Sequence, residues 1–152
     1  MTQLKEGDKA PVFSGLNQKG ETVSLSDFKG KKLVLFFYPK DNTPTCTEEA
    51  CNLRDNHSLL KKNGYAIVGV SADSQKKHQN FIKKFELTFP LIADVDQVIL
   101  NAYGVWGEKQ LFGKKYMGII RTTFVINEEG FIEKIIDKVT AKDHTSQILA
   151  VA

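Results

Sequence analysis

The sequence predicts an α/β domain built on a central mixed β-sheet with helices on both faces. Two apolar runs, residues 33–38 and 66–71, have the length of buried strands and enclose a stretch with helical periodicity. A strand–helix–strand order of this kind requires parallel neighbours and a right-handed crossover. Farther on, residues 122–127 and 131–139 flank the turn Glu128-Glu129-Gly130 and read as an antiparallel hairpin. Parallel and antiparallel pairs together make the sheet mixed, and the pattern leaves its strand order open.

In chain order, residues 22–25 read as a small edge strand and Ser26-Asp27-Phe28 as a short helical turn stopped by Gly30. The strand at 33–38 is closed by Pro39, which has no N–H to continue a ladder. Residues 43–45 open a helix. Thr45 and Glu48 have capping-box spacing, which places Cys46 at the first helical position. Ala50, Leu53, His57 and Leu60 then share the inner side, and Gly64 ends the helix. Asp73 or Ser74 caps the next helix, whose inner face carries His78, Phe81, Ile82 and Phe85. A short strand at 90–93 and a short helix at 98–103 follow. Residues 104–120 hold four glycines, Trp106 and several lysines; they read as a long loop, a kind of segment that is often functional. A last helix starts near Asp143.

A chain of 152 residues suits one domain, residues 1–152, around one core. With 41% hydrophobic and 26% charged residues it has the balance of a globular protein, not of a disordered or fibrous one. The net charge of +3 is spread over scattered lysine pairs such as Lys31/Lys32 and Lys83/Lys84, without the basic stripe of a nucleic-acid protein. The N-terminus has neither the apolar stretch of a signal peptide nor an Arg-rich transit pattern. No run reaches the roughly 18 apolar residues of a membrane span. These readings predict a cytoplasmic protein without nucleic-acid or membrane partners. Thiols are kept reduced there, so Cys46 and Cys51 are expected to be catalytic, regulatory or inert, not structurally bridged. His57, His78 and His144 are far apart and none pairs with a cysteine at ligand spacing, so no metal site is expected.

A thiol at a helix start faces the free N–H groups of the first turn and the positive end of the helix dipole, and both favour the thiolate. Arg121 is a candidate neighbouring cation for Cys46. Complete ionisation raises the thiolate population of an ordinary cysteine only about thirty-fold, roughly 2 kcal/mol of apparent barrier. A fast reaction at sulfur therefore also needs donors aimed at the leaving atom, and Thr43 and Arg121 are assigned that task. The alternative for Cys46 is a small buried hydrophobe. The rigid turn carrying Pro39, Thr43, Pro44 and Thr45 ahead of the thiol favours the reactive role.

Cys51 lies five residues on, about 140° around the helix and roughly 7.5 Å along it, which sets the two Cα atoms roughly 8.5 Å apart. A disulfide needs less than about 7 Å, so the pair can join only if the first turns unwind. The residues alone leave two readings open. Cys51 is either a resolving thiol that attacks a Cys46 sulfenic acid, or an incidental half-exposed thiol.

The spacing Pro39-x-x-x-Thr43-x-x-Cys46 resembles the active-site signature of peroxiredoxins. Residues 38–55, with Cys51 five after Cys46, resemble the Q-type subfamily, also called bacterioferritin comigratory proteins. The likeness continues in Gly7-Asp8-Lys9-Ala10-Pro11, in Gly69-Val70-Ser71 with Asp73, in residues 103–109 and in Arg121-Thr122-Thr123-Phe124. It implies a thioredoxin-like fold and a thiol peroxidase that reduces hydrogen peroxide and alkyl hydroperoxides without metal, haem or flavin cofactor. It further implies that Cys46 is peroxidatic and Cys51 resolving, the two joining in an intramolecular disulfide. Thr43 and Arg121 would hold and polarise the peroxide, and Pro39 would shield the thiolate from water. Glu49 matches an acidic position beside the site, with its role left open. A thioredoxin-like dithiol would regenerate the enzyme, and a monomer is expected. Thr45 departs from the pattern, which often has glycine there; a β-branched residue restricts that backbone position, so the family's loop mobility is not simply carried over.

Two other functions fit the same fold. A disulfide reductase would carry Cys-x-x-Cys, whereas this chain has four residues between its cysteines; insulin reduction without peroxide would mark it. A binding module with a vestigial site would show the same peroxide consumption with or without Cys46. Trp106, Phe112 and Tyr116 either cover a substrate entrance or pack the 104–120 segment onto the sheet. Arg54 and Asp55 are read as helix-surface charges with a structural role.

Overall fold

The computed structural model describes residues 2–150; residue 1 and residues 151–152 lie outside it. A small hairpin of β1 (Ser14–Leu16) and β2 (Thr22–Ser24) leads through a 3-10 turn at Leu25–Phe28 into β3 (Lys32–Phe37). Helices α1 (Pro44–Asp55) and α2 (His57–Lys62) connect β3 to β4 (Tyr65–Ser71), and α3 (Gln75–Phe85) connects β4 to β5 (Leu91–Ala93). After α4 (Val98–Ala102), β6 (Trp106–Leu111) and β7 (Lys114–Ile119) form a second hairpin. Then come β8 (Thr122–Ile126), β9 (Ile132–Ile136), a 3-10 turn at Ala141–Asp143 and α5 (His144–Leu149).

The central sheet has the order β5-β4-β3-β8-β9. Its β3, β4 and β5 are parallel, while β8 runs antiparallel to β3 and to β9. The expected α/β class and mixed sheet are therefore present. Side chains alternate across β3: Leu33, Leu35 and Phe37 enter one core, Val34, Phe36 and Tyr38 the other. A strand covered on both faces reads as one unbroken apolar run, which is how 33–38 appears in the sequence. The first core is closed by Phe13, Ile99, Leu100 and Tyr103, and the second by Ala50, Leu53, Leu60, Phe81 and Ile148. Helices thus lie on both faces, with α1, α2, α3 and α5 on one and α4 with the β1–β2 hairpin on the other. Among the described residues no helix is long and apolar enough to cross a membrane.

Three expectations need correction. The single helix from residue 45 to Gly64 is two helices, broken at Asn56 (φ −108°, ψ 12°), whose side-chain amide donates to the Asn52 carbonyl at 2.8 Å. A short polar side chain that competes for backbone groups in this way disfavours helix continuation. Residues 104–120 are not a loop. They contain the β6–β7 hairpin, closed by Phe112-Gly113, both with positive φ (51° and 79°), the geometry of two-residue hairpin turns. Phenylalanine is an uncommon occupant of that position, and this hid the turn. Phe112, 96% exposed at the tip, neither covers a site nor packs on the sheet. Trp106 is half-buried against the first core, as the packing alternative required, and Tyr116 is exposed. The last strand also ends early, at Ile136, and the short β1 had no sequence signal strong enough to mark it.

Candidate active site

The site lies at the carboxyl end of β3, where the chain leaves the sheet at Pro39 and enters α1. The helix begins two residues earlier than expected. Thr43 is the cap residue and Pro44 the first helical residue, a position where proline's missing N–H is harmless. The Thr45–Glu48 capping box is therefore not formed, and Cys46 is the third helical residue. The first helical hydrogen bond runs from Thr47 N to the Thr43 carbonyl at 2.8 Å. The N–H groups of Thr45 and Cys46 thus have no acceptor within the helix and point toward its mouth.

Cys46 is 2% exposed, its side chain packed in the second core. Its sulfur accepts a hydrogen bond from Arg121 Nη2 at 3.0 Å. Arg121 arrives from a distant part of the chain. The antiparallel register Phe37↔Thr122 sets the residue before β8 beside the end of β3. The other arm of the same guanidinium, Nη1, donates to Glu49 Oε1 at 2.6 Å. Glu49 is completely buried, one turn along α1 from Cys46. Burial pushes its carboxyl up to about 7, against the opposing pull of Arg121. Arg121 thus forks between a thiol and a carboxyl, a geometry that a lysine could not supply.

Thr43 and Pro39 are at the mouth of the site, but the Thr43 hydroxyl donates to the Lys40 carbonyl at 2.8 Å. Cys51 is half-buried on α1, and both cysteines are free. Desolvation raises the Cys51 thiol above its ordinary value, against the pull of Arg54. Both cysteines lie within the unbroken helix Pro44–Asp55, where ideal geometry keeps their Cα atoms beyond disulfide reach. Arg54 pairs with Asp55 at 2.7 Å and donates to the Phe85 carbonyl at 2.6 Å, the structural role expected of it.

Several residues of the site had no sequence signal. The turn 39–43 is held from below by a buried polar cluster. The Tyr38 hydroxyl donates to Asp41 Oδ1 at 2.6 Å, and Asp41 N donates to Asp73 Oδ2 at 2.8 Å. His78 Nδ1 lies 2.6 Å from Asp41 Oδ2, and its Nε2 lies 2.9 Å from the Ile92 carbonyl. A carbonyl only accepts, so Nε2 carries a proton. The helix cap is Ser74, not Asp73, which frees Asp73 for the turn. The Asp41, Asp73 and His78 donor atoms lie within 4.8 Å of one another, but each is committed to these hydrogen bonds. Lys109 reaches in from β6 and donates to the Ile119 carbonyl at 2.8 Å. Burial and the Arg121 charge lower its ammonium, while Cys46 acts in the opposite sense. His144, on α5, completes the floor behind Glu49.

A thiol at a helix mouth with a guanidinium on its sulfur, carried on this sheet, defines a thiol-dependent peroxidase. The sequence pattern described as the AhpC/TSA family matches residues 6–135. Peroxiredoxin Bcp of Bacillus subtilis is 49% identical over 146 residues, 96% of this chain and 93% of that one. Peroxiredoxin Bcp of Escherichia coli is 44% identical, covering 98% and 96%. Among solved structures, a cysteine-to-serine mutant of Xylella fastidiosa PrxQ superposes with a TM-score of 0.91 at 30% identity, covering 98% of this chain and 95% of that one. The chain belongs to the AhpC/TSA family, among the peroxiredoxins of Bcp and PrxQ type. It is therefore a peroxidase oxidoreductase on a thioredoxin-like fold, acting on hydroperoxides with electrons from a thiol reductant such as thioredoxin.

Proposed function

We propose that Cys46 is the peroxidatic nucleophile and Cys51 its resolving partner, in a single-domain cytoplasmic monomer recycled by a thioredoxin-type dithiol. The observation that carries this reading is the Arg121 Nη2–Cys46 Sγ hydrogen bond of 3.0 Å. The Cys46 thiolate attacks one peroxide oxygen. The S–O bond forms, the O–O bond breaks, and the electron pair leaves on the second oxygen, which takes a proton to give water or an alcohol. Sulfur ends as a sulfenic acid. Arg121, the free N–H groups of the first turn and the Thr43 hydroxyl, once released from Lys40, supply donors for the departing oxygen. Pro39 limits water at the sulfur, and Glu49 holds the second arm of Arg121.

Resolution follows when the start of α1 unwinds. The Cys51 thiolate then attacks Cys46 Sγ, the S–S bond forms and water leaves. Burial disfavours the Cys51 thiolate in the intact helix, so unwinding brings the two sulfurs together and also frees the nucleophile. Mass spectrometry after one equivalent of peroxide is expected to find an internal Cys46–Cys51 disulfide. In Cys51→Ser the sulfenic acid should persist and overoxidise to sulfinic acid with excess peroxide; unchanged cycling with thioredoxin would remove Cys51 from the mechanism.

Asn52 controls how readily that helix opens. Its Oδ1 accepts from Thr145 N and Thr145 Oγ1, each at 2.8 Å, and its Nδ2 donates to the Lys142 carbonyl at 2.9 Å. These bonds fasten α1 to the segment that leads into α5. Asn52→Ala should destabilise the fold by about 1–3 kcal/mol and accelerate disulfide formation after oxidation. Slower or unchanged closure, measured by quenched-flow alkylation, would show that α1 opens without releasing α5.

A further inference from the structure

The carboxyl oxygen Glu49 Oε2 is buried and has no hydrogen-bond partner, the one such side-chain atom among the described residues. Its nearest polar neighbour is His144 Nε2, at 3.4 Å. His144 is itself completely buried. Its tautomer follows from Gln147. Gln147 Oε1 accepts from Thr140 N at 2.8 Å, and Gln147 Nε2 donates to the Lys138 carbonyl at 2.9 Å. The oxygen is thereby the atom that meets His144 Nδ1 at 2.8 Å, so Nδ1 carries a proton. In the neutral ring Nε2 is then bare and accepts from the Thr123 hydroxyl at 2.7 Å. An ionised Glu49 would press its oxygen against that lone pair, acceptor to acceptor, with no water between them and little dielectric screening.

We propose that Glu49 carries a proton on Oε2, held by His144 Nε2, and that His144 is thereby a positioning residue that leaves the Arg121 charge to the Cys46 sulfur and the departing oxygen. A neutral carboxyl still accepts the Arg121 Nη1 hydrogen bond through Oε1, so the guanidinium stays in place. What changes is the charge: Arg121 faces one anion, the thiolate, and not two. The groups around Glu49 agree with this. Cys46 shares its helix, Arg121 precedes β8, His144 projects from α5, and Lys109 of β6 lies close enough to Arg121 and Cys46 to feel both. Glu48 and Lys142 meet at 4.0 Å on the solvent side of the α1–α5 contact. Burial and the Arg121 charge both lower the His144 imidazolium, while the Gln147 hydrogen bond favours it, and burial raises Glu49. The proton therefore belongs on the carboxyl. Because the folded value of about 7 stands above the ordinary 4.5, the proton is present at acid pH and is lost as pH rises through about 7. Above that point the carboxylate competes with the thiolate for Arg121.

This deepens the assignment of Cys46 and is tested without turnover as well as with it. Nitrogen-15 spectra of the reduced protein at neutral pH should show His144 with Nδ1 protonated and Nε2 bare; an imidazolium or an Nε2–H ring overturns the proposal. In single-turnover reactions with hydrogen peroxide, the ratio of the wild-type rate to that of Glu49→Gln should fall as pH rises through about 7. His144→Leu should move that fall by about tenfold in proton concentration toward acid, the worth of one hydrogen bond to the neutral acid. His144→Gln, whose amide oxygen can accept the same proton, should bring it back. A pH-independent ratio, or a fall that stays put in His144→Leu, sinks the idea. If His144→Leu fails to fold, or if Cys46 proves unreactive, the tautomer still decides.

Discussion

Cys46→Ser abolishes peroxide consumption. A serine hydroxyl in the same position keeps the volume and can still accept from Arg121 Nη2, so the site around it survives; what goes is the nucleophile. A thiol is a few per cent ionised at neutral pH even when unassisted, and its anion is highly nucleophilic, whereas an alcohol without an adjacent general base offers neither. No side chain hydrogen-bonded to Cys46 could serve as that base, since its one such partner is a guanidinium. The second cysteine does not substitute, because Cys51 is half-buried and its thiol is raised by desolvation. NADPH oxidation coupled through thioredoxin and its reductase should drop to the enzyme-free rate, with the melting temperature little changed. Turnover at the wild-type rate would end the assignment of Cys46 and favour the vestigial-site reading of the fold.

Arg121→Lys has the next largest effect. Two arms of one guanidinium hold Cys46 at 3.0 Å and Glu49 at 2.6 Å. An ammonium is a point charge that cannot span both with the same planar geometry. The charge is kept, so a role limited to favouring the thiolate would be largely kept as well. Ionisation offers at most about thirty-fold, however, and loss of a donor aimed at a leaving oxygen typically slows a reaction about 10²–10³-fold, roughly 3–4 kcal/mol. The second-order rate constant with hydrogen peroxide should fall within that larger range. A loss of less than about tenfold would mean that the backbone N–H groups of the first turn carry the departing oxygen alone. The accompanying loss of stability is limited, because a buried Glu49 deprived of its cation can take up a proton in place of remaining an uncompensated charge.

The sequence carried the local part of this site. The apolar runs of β3 and β4, the Pro39 stop and the helical period of Ala50, Leu53 and Leu60 are all short-range patterns, and the described fold follows them. The cap was misplaced by two residues because Thr43 and Thr45 both suit an N-terminus, and Pro44 decides between them only through its preference for the first helical position. The β6–β7 hairpin was hidden because its turn places Phe112 at positive φ, against local preference. The break at Asn56 was masked by an inner stripe that runs on to Leu60 without interruption.

By itself, then, the order of residues determined an α/β domain, a reactive thiol near the start of a helix and a second thiol too far along it to bond without unwinding. Tertiary structure alone decided what surrounds that sulfur. The β3–β8 register brings Arg121 to Cys46 across 75 positions of chain, and the docking of α5 places His144 against Glu49. Hydrogen bonds between groups so distant in sequence leave no local period or composition to read. They exist because the sheet and the two cores fix where those chain segments meet.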